Sequence, residues 1–382
     1  MNPCLPPAPV IPRYGTAALS DVTPSALASL GVAGMANPLA MTPVRAVCLL
    51  LVDGLGWELL QRHRDVAPFL AALPGGPITA GFPATTASSL TAIGTGLPPG
   101  ESGIVGMAFA VGGEVLDALR WHRHGTAVDL RDALRPEDVQ PVTTAFERAR
   151  AAGVDVRVVQ PAAHTASGLS RAAFRGGAMV GVHAVGDLVE GARAALCSPG
   201  QVFCYAYHAD LDFLGHVYGP GSAQWRRQLA VVDRIAAGIA EDLPPGARLL
   251  VTADHGMVSA GHRTDLDTTP DLLDGVDLVT GEPRVRLVHT APGARDDVLA
   301  TWRSHLGEHA EVRTREEAVA AGWFGPRVSP RVAGRIGDLV VATTGTAVIT
   351  RSSVEPLMSA VVGQHGSFTS AEQLVPLLGH DA

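Results

Sequence analysis

Ala46-Val47-Cys48-Leu49-Leu50-Leu51-Val52 is apolar at every position and breaks off at Asp53-Gly54. A strand with one wet face would alternate apolar and polar residues. A run without alternation suits a strand covered on both faces, as in the interior of a parallel sheet. Similar runs recur at 154–159, 201–207, 249–252 and 338–342, with helical periodicity between them at 143–152, 188–196 and 224–239. Strands alternating with helices predict βαβ units, hence an α/β fold: a doubly wound sheet with helices on both faces.

On either side of this frame the pattern changes. Residues 1–45 are rich in Pro and Ala and predict an N-terminal segment that wraps the domain. Residues 262–335 carry a strand pattern at 285–289, a helical one at 296–305 and turns rich in Arg and Glu. They predict a small cap inserted into a core made of 46–261 and 336–382.

Composition narrows the function. Hydrophobic residues are 47% of the 382, enough for a large core, and the net charge is −8. The chain has no lysine; all 29 basic side chains are arginine, and they form no stripe. A nucleic acid polymer is therefore not an expected partner, because phosphate-backbone binding needs clustered cations. A small phosphorylated substrate remains possible, since bound metal can reverse the sign of a site locally. Cys4, Cys48, Cys197 and Cys204 show no CxxC spacing, and Cys48 and Cys204 read as small hydrophobes inside strands. The start, Met1-Asn2-Pro3-Cys4-Leu5-Pro6-Pro7, lacks a signal peptide's cationic and apolar regions, and no apolar run reaches the ~18 residues of a membrane span. No membrane partner is expected, a cytoplasmic location is, and the oligomeric state is left open.

In an open α/β sheet, ligands bind beyond the carboxyl ends of the strands. Asp53, Asp212 and Asp254 each follow an apolar run. One Asp there is usually a turn or helix cap; three, two of them with histidines at short spacing, point to a ligand set. Asp212 and His216 stand four apart, a helical spacing that aims both at one point. Asp254-His255-Gly256 and His365-Gly366 add loop imidazoles. Asp and neutral His are donors that zinc accepts. His208 and Asp210 are competing donors placed in a supporting rank. The segment Gly81-Phe82-Pro83-Ala84-Thr85-Thr86-Ala87-Ser88-Ser89 puts hydroxyls at a helix start, where free N–H groups favour an anion. Taken alone it reads as an N-cap.

Together, Leu51-Val52-Asp53-Gly54, Phe82-Pro83-Ala84-Thr85-Thr86, Asp212-x-x-Gly215-His216-x-Tyr218-Gly219-Pro220, Asp254-His255-Gly256-Met257 and His365-Gly366 resemble the nucleotide pyrophosphatase/phosphodiesterase branch of the alkaline phosphatase superfamily. The resemblance implies a zinc-dependent phosphoesterase, most closely a phosphodiesterase, with two Zn²⁺. One would be held by Asp212, His216 and His365; the other by Asp53, Asp254, His255 and the Thr86 oxygen. It implies Thr86 as nucleophile, since the family's lies four residues after the Phe of its Phe-Pro turn, and a phospho-threonine intermediate. Ser89 stands where the family places an asparagine that binds a phosphoryl oxygen, which makes Ser89 the candidate substrate-binding residue beside Thr86. Phe82, Phe213 or the cap would give the second ester substituent an apolar wall. A phosphomonoesterase, a phosphonate hydrolase and a catalytically silent relative are the alternatives. Monoester preference would call for an arginine from the cap, for which Arg263 is the candidate. Cys4-Leu5-Pro6-Pro7-Ala8 approaches a sulfatase motif but lacks its arginine.

Overall fold

The structure, a computed structural model, describes residues 8–241 and 243–382; Cys4 and the N-terminal residues read above as lacking a signal lie outside them. The large sheet is built from β1 (Ala46–Val52), β2 (Gly75–Thr79), β3 (Asp155–Pro161), β4 (Ala178–Val182), β5 (Val202–His208) and β6 (Ala247–Thr252), completed near the C-terminus by Leu374–Asp381. Its order is β2, Leu374–Asp381, β6, β1, β5, β3, β4. From β6 to β4 every pairing is parallel, while Leu374–Asp381 runs antiparallel to both neighbours. Every residue of β1, β5 and β6 is buried, which requires helices on both faces. Val22–Ser29, Thr86–Thr95, Ala145–Ala151 and Gly168–Ala173 pack as one layer; Val185–Leu196, Asp210–Tyr218 and Ala223–Ala240 pack as another.

The N-terminal segment is not only a surface wrap. Leu19, Val22, Ala26 and Leu27 are fully buried in the main core, and Ala18 bridges to Thr79 of β2.

The inserted unit is larger than the sequence predicts. Its sheet comprises β7 (Val276–Glu282), β8 (Val285–Thr290), β9 (Ala310–Thr314) and β10 (Leu339–Thr343), all antiparallel, in the order β7, β8, β10, β9. A separate core of Leu266, Val288, Trp302, Leu339 and Val341 lies beneath it. The apolar run at 338–342 therefore does not return the chain to the large sheet at Ile336. It forms an interior cap strand, and the cap's edge pairing of Arg263–Asp265 with Val348–Thr350 carries the unit on to Thr350. A strand flanked by two others and covered on both faces is continuously apolar in either sheet, so periodicity alone could not assign it.

Two buried, bidentate ion pairs fix the region around the cap. Arg284, in the β7–β8 turn, bonds both oxygens of Glu372 beside Leu374–Asp381 at 2.9 and 2.7 Å. Arg286 bonds both oxygens of Glu355 at 2.8 Å. A further antiparallel hairpin, Ala108–Val111 with Glu114–Asp117 and His122–Arg123, was not anticipated from the sequence.

Candidate metal centre and nucleophile

Strand register sets the site. Leu51 of β1 lies opposite Tyr207 of β5 and Thr252 of β6, so the residues that follow leave the sheet at one edge. Asp53 and Asp254 leave there directly, and Asp212 sits in the first turn of Asp210–Tyr218 just after β5. Gly54 makes the approach possible. Its φ is +75°, and a Cβ on it would fall 2.9 Å from both Cα and Cβ of Asp212.

The three histidines are oriented alike. Nδ1 of His365 donates to the Ala84 carbonyl at 3.0 Å, that of His216 to Gly363 at 2.8 Å and that of His255 to Gly256 at 3.0 Å. Each Nε2 is thereby left as a lone pair aimed inward, the arrangement typical of metal-binding imidazoles. His216 Nε2 lies 3.3 Å from Asp212 Oδ2 and 3.2 Å from His365 Nε2. His255 Nε2 lies 3.3 Å from Asp254 Oδ2 and 3.5 Å from Asp53 Oδ1. The rings of His255 and His365 stack at 3.5 Å, joining the two groups. Asp212, His216 and His365 form one set of donors within 4.8 Å of one another, and Asp53, Asp212 and His255 form a second.

These residues fit bound cations. Asp53 Oδ1, Asp212 Oδ1 and Asp254 Oδ2 are buried and have no hydrogen-bond partner. The other oxygens of Asp53 and Asp254 are engaged: Asp53 Oδ2 accepts from the Tyr207 hydroxyl, and Asp254 Oδ1 from the backbone N–H groups of Gly54 and His255. Buried orphan carboxylate oxygens and facing imidazole lone pairs are costly without a positive charge between them. Burial, reinforced by Asp254 and Asp212, pushes the Asp53 carboxyl well above the usual range. Burial works the same way on Asp212, but where the imidazoles around it are protonated, His216 foremost, they outweigh it and hold that carboxyl low. Burial, with His255 beside it, holds the His365 imidazole well below its ordinary value.

Thr86 is the first residue of the helix Thr86–Thr95, with Thr85 as its N-cap. Its Oγ1 lies 3.3 Å from His255 Nε2, so the hydroxyl faces the donor cluster. A cavity of about 360 Å³ opens over Asp53, Thr86, Asp212 and His216.

Other expected residues stand elsewhere. Ser89 is fully buried, donates to the Asp254 carbonyl at 2.8 Å and does not line the cavity. Its short side chain steadies the Asp254 backbone instead of presenting a donor to a ligand. Phe82 is enclosed by Trp323, Phe324 and Phe368 and offers no wall, whereas Phe213 is 63% exposed at the cavity. Arg263 is tied to the carbonyls of Ser359 and Val361. His208 is paired with Gln228, and Asp210 is exposed. Tyr205 is buried against Phe146 and Phe174 while Tyr207 lines the cavity. Sequence reasoning missed Arg120, Gln160 and His164, which also line it. His164 follows the carboxyl end of β3, a position that could have flagged it; Arg120 lies in the unanticipated hairpin.

A mostly parallel sheet with an Asp/His cluster and a helix-start hydroxyl at its carboxyl edge defines a hydrolase of phosphoric ester or pyrophosphate bonds. The chain belongs to the type I phosphodiesterase/nucleotide pyrophosphatase family, whose model matches residues 47–368. No curated protein matches it. Among solved structures it is similar to murine ectonucleotide pyrophosphatase/phosphodiesterase 5, at 17% identity and a TM-score of 0.68 over 88% of each chain. An inactive form of that protein in complex with AMP gives 16% and 0.69 over 88% of each chain. Phosphonoacetate hydrolase from Sinorhizobium meliloti 1021 in complex with phosphonoformate gives 18% and 0.66, over 89% of this chain and 91% of the other.

Proposed function

We propose that the protein is a zinc-dependent phosphodiesterase that uses Thr86 as its nucleophile. The observation that carries the reading is the cluster of three orphan carboxylate oxygens and three inward imidazole nitrogens, one of which, His255 Nε2, lies 3.3 Å from the Thr86 hydroxyl. Asp212, His216 and His365 would hold one zinc; Asp53, Asp254, His255 and the Thr86 oxygen a second. When bound, zinc supplies a lowered hydroxyl pKa and neutralises phosphoryl charge. Thr86 gives up its proton to solvent and attacks phosphorus in line. The new Oγ1–P bond forms as the bond to the leaving oxygen breaks, and the leaving group departs as its oxyanion or takes a proton from water. Water then cleaves the phospho-threonine, restoring the hydroxyl. Tyr207 orients Asp53 through their hydrogen bond, and Ser89 holds the Asp254 backbone. The AMP and phosphonoformate bound by the two structural relatives support a small phosphorus oxyanion as the ligand class.

No charged side chain flanks Thr86 in sequence, so a monoanionic diester suits the phosphoryl position better than a dianionic monoester as long as Arg120, which lines the cavity, serves another part of the substrate. An unmatched charge in such a site costs a few kcal/mol. The zinc-loaded protein should turn over bis-p-nitrophenyl phosphate with kcat/KM at least about tenfold above that for p-nitrophenyl phosphate. The opposite ranking at matched pH would make it a monoesterase.

A further inference from the structure

Resting on the phosphoester-hydrolysing reading, the geometry points to Arg120 as a specificity-determining residue that pairs with an anionic group, carboxylate or phosphate, carried by the substrate beyond its scissile phosphoryl. Among the described residues, Arg120 is the one arginine lining the cavity over Thr86. It also lines, with Leu119, a neighbouring cavity of about 680 Å³, so it stands where the two spaces meet. No hydrogen bond or ion pair of its guanidinium is found among the described residues; only its backbone N–H is engaged, by Asp117 Oδ1 at 3.1 Å.

The backbone that presents it is constrained. Trp121, the next residue, is fully buried and sits at φ +59°, a conformation a bulky side chain adopts only when its surroundings over-determine it. Those surroundings are present. The Trp121 indole donates to the Leu134 carbonyl at 2.7 Å, and a Cβ at Gly168 would fall 2.2 Å from the ring. An exposed cation on a strained, tightly anchored turn at the mouth of an Asp/His site is placed for a ligand rather than for stability. The space beyond it is built for polar contact as well. His124 Nε2 meets Glu355 Oε1 at 2.9 Å, and its Nδ1 is buried without a partner; His122 lies beside it. Asp117 and Glu355 also border this space. Glu355 is neutralised by Arg286 and hydrogen-bonded to His124, and Asp117 Oδ1 accepts from two backbone N–H groups. The uncommitted cation at the junction therefore sets the preference.

Binding of three diesters to zinc-loaded Thr86→Ala protein, read by calorimetry, tests this. They are ethyl p-nitrophenyl phosphate, its 2-carboxyethyl analogue and its 2-phosphoethyl analogue. The two acid-bearing esters should bind about tenfold or more tighter than the ethyl ester. Adding Arg120→Met should bring that ratio close to one, and Arg120→Lys should keep part of it. Equal binding of all three, binding of none, or an Arg120→Met variant that keeps the ratio overturns the proposal. Because binding is read without the nucleophile, failure of the unaltered protein to hydrolyse these esters contradicts the proposed function and leaves the ratio to decide the role of Arg120.

Discussion

Thr85 and Thr86 are adjacent in sequence and opposed in placement. Thr85 is the N-cap residue of the helix and almost wholly buried, while Thr86 Oγ1 faces His255 and the cavity. Thr86→Ala should lower kcat by several orders of magnitude while folding and most metal binding persist. Thr85→Ala should retain most turnover. Steady-state rates on the zinc-loaded variants decide it, and a dead Thr85→Ala beside a near-normal Thr86→Ala would reverse the assignment. At this scale Asp53, Asp212 and Asp254 were legible because each follows a strand-like run, His216 because it sits at a helical spacing from Asp212 and His255 because it adjoins Asp254. His365 read only as a loop imidazole until the family resemblance placed it. The role of Ser89 was not legible. Its neighbours in sequence give no sign that the Asp254 carbonyl, 165 positions away, claims its hydroxyl.

Among the elements, the cap meets the segment that leads into the Ala108–Val111 hairpin through Glu282 at the end of β7. Its Oε2 accepts from the Met107 backbone N–H at 2.9 Å, and its Oε1 is buried without a partner. Burial pushes this carboxyl up to about 8, against the opposing pull of the Met107 bond and of Arg286. A folded-state pKa above the unfolded one contributes stability that is fully present below the unfolded value, roughly 4.3, and is lost as pH rises through about 8. Glu282→Gln keeps an acceptor without the ionisation. Its stability relative to the unaltered chain should therefore rise steadily from pH 5 to pH 8.5 or so in denaturant unfolding. A pH-independent difference would place an ionised carboxylate there. The cap's existence could be read from the break in strand–helix rhythm. Its far boundary could not, because 338–342 is as continuously apolar in an antiparallel cap sheet as it would be in the large one.

The molecule as a whole is a mostly parallel sheet that gathers its chemistry at one carboxyl edge, with no helix among the described residues long and apolar enough to cross a membrane. Its alternating strands and helices announced that edge from the run 46–52 onward. The hairpin bearing Arg120 stayed hidden, because its strands of four and two residues are too short to show a period. An acidic chain of net charge −8 can attract an anionic substrate if positive metal charge offsets the three carboxylates at this edge. Metal stoichiometry and activity are thus one question. Chelated protein should be titrated with zinc while bound metal and bis-p-nitrophenyl phosphate hydrolysis are followed together. Activity absent from the chelated protein and rising to a plateau at two zinc per chain is the expected result. Activity that survives chelation, or that saturates at one zinc or fewer, would contradict a two-metal centre built on Asp53, Asp212, His216, Asp254, His255 and His365.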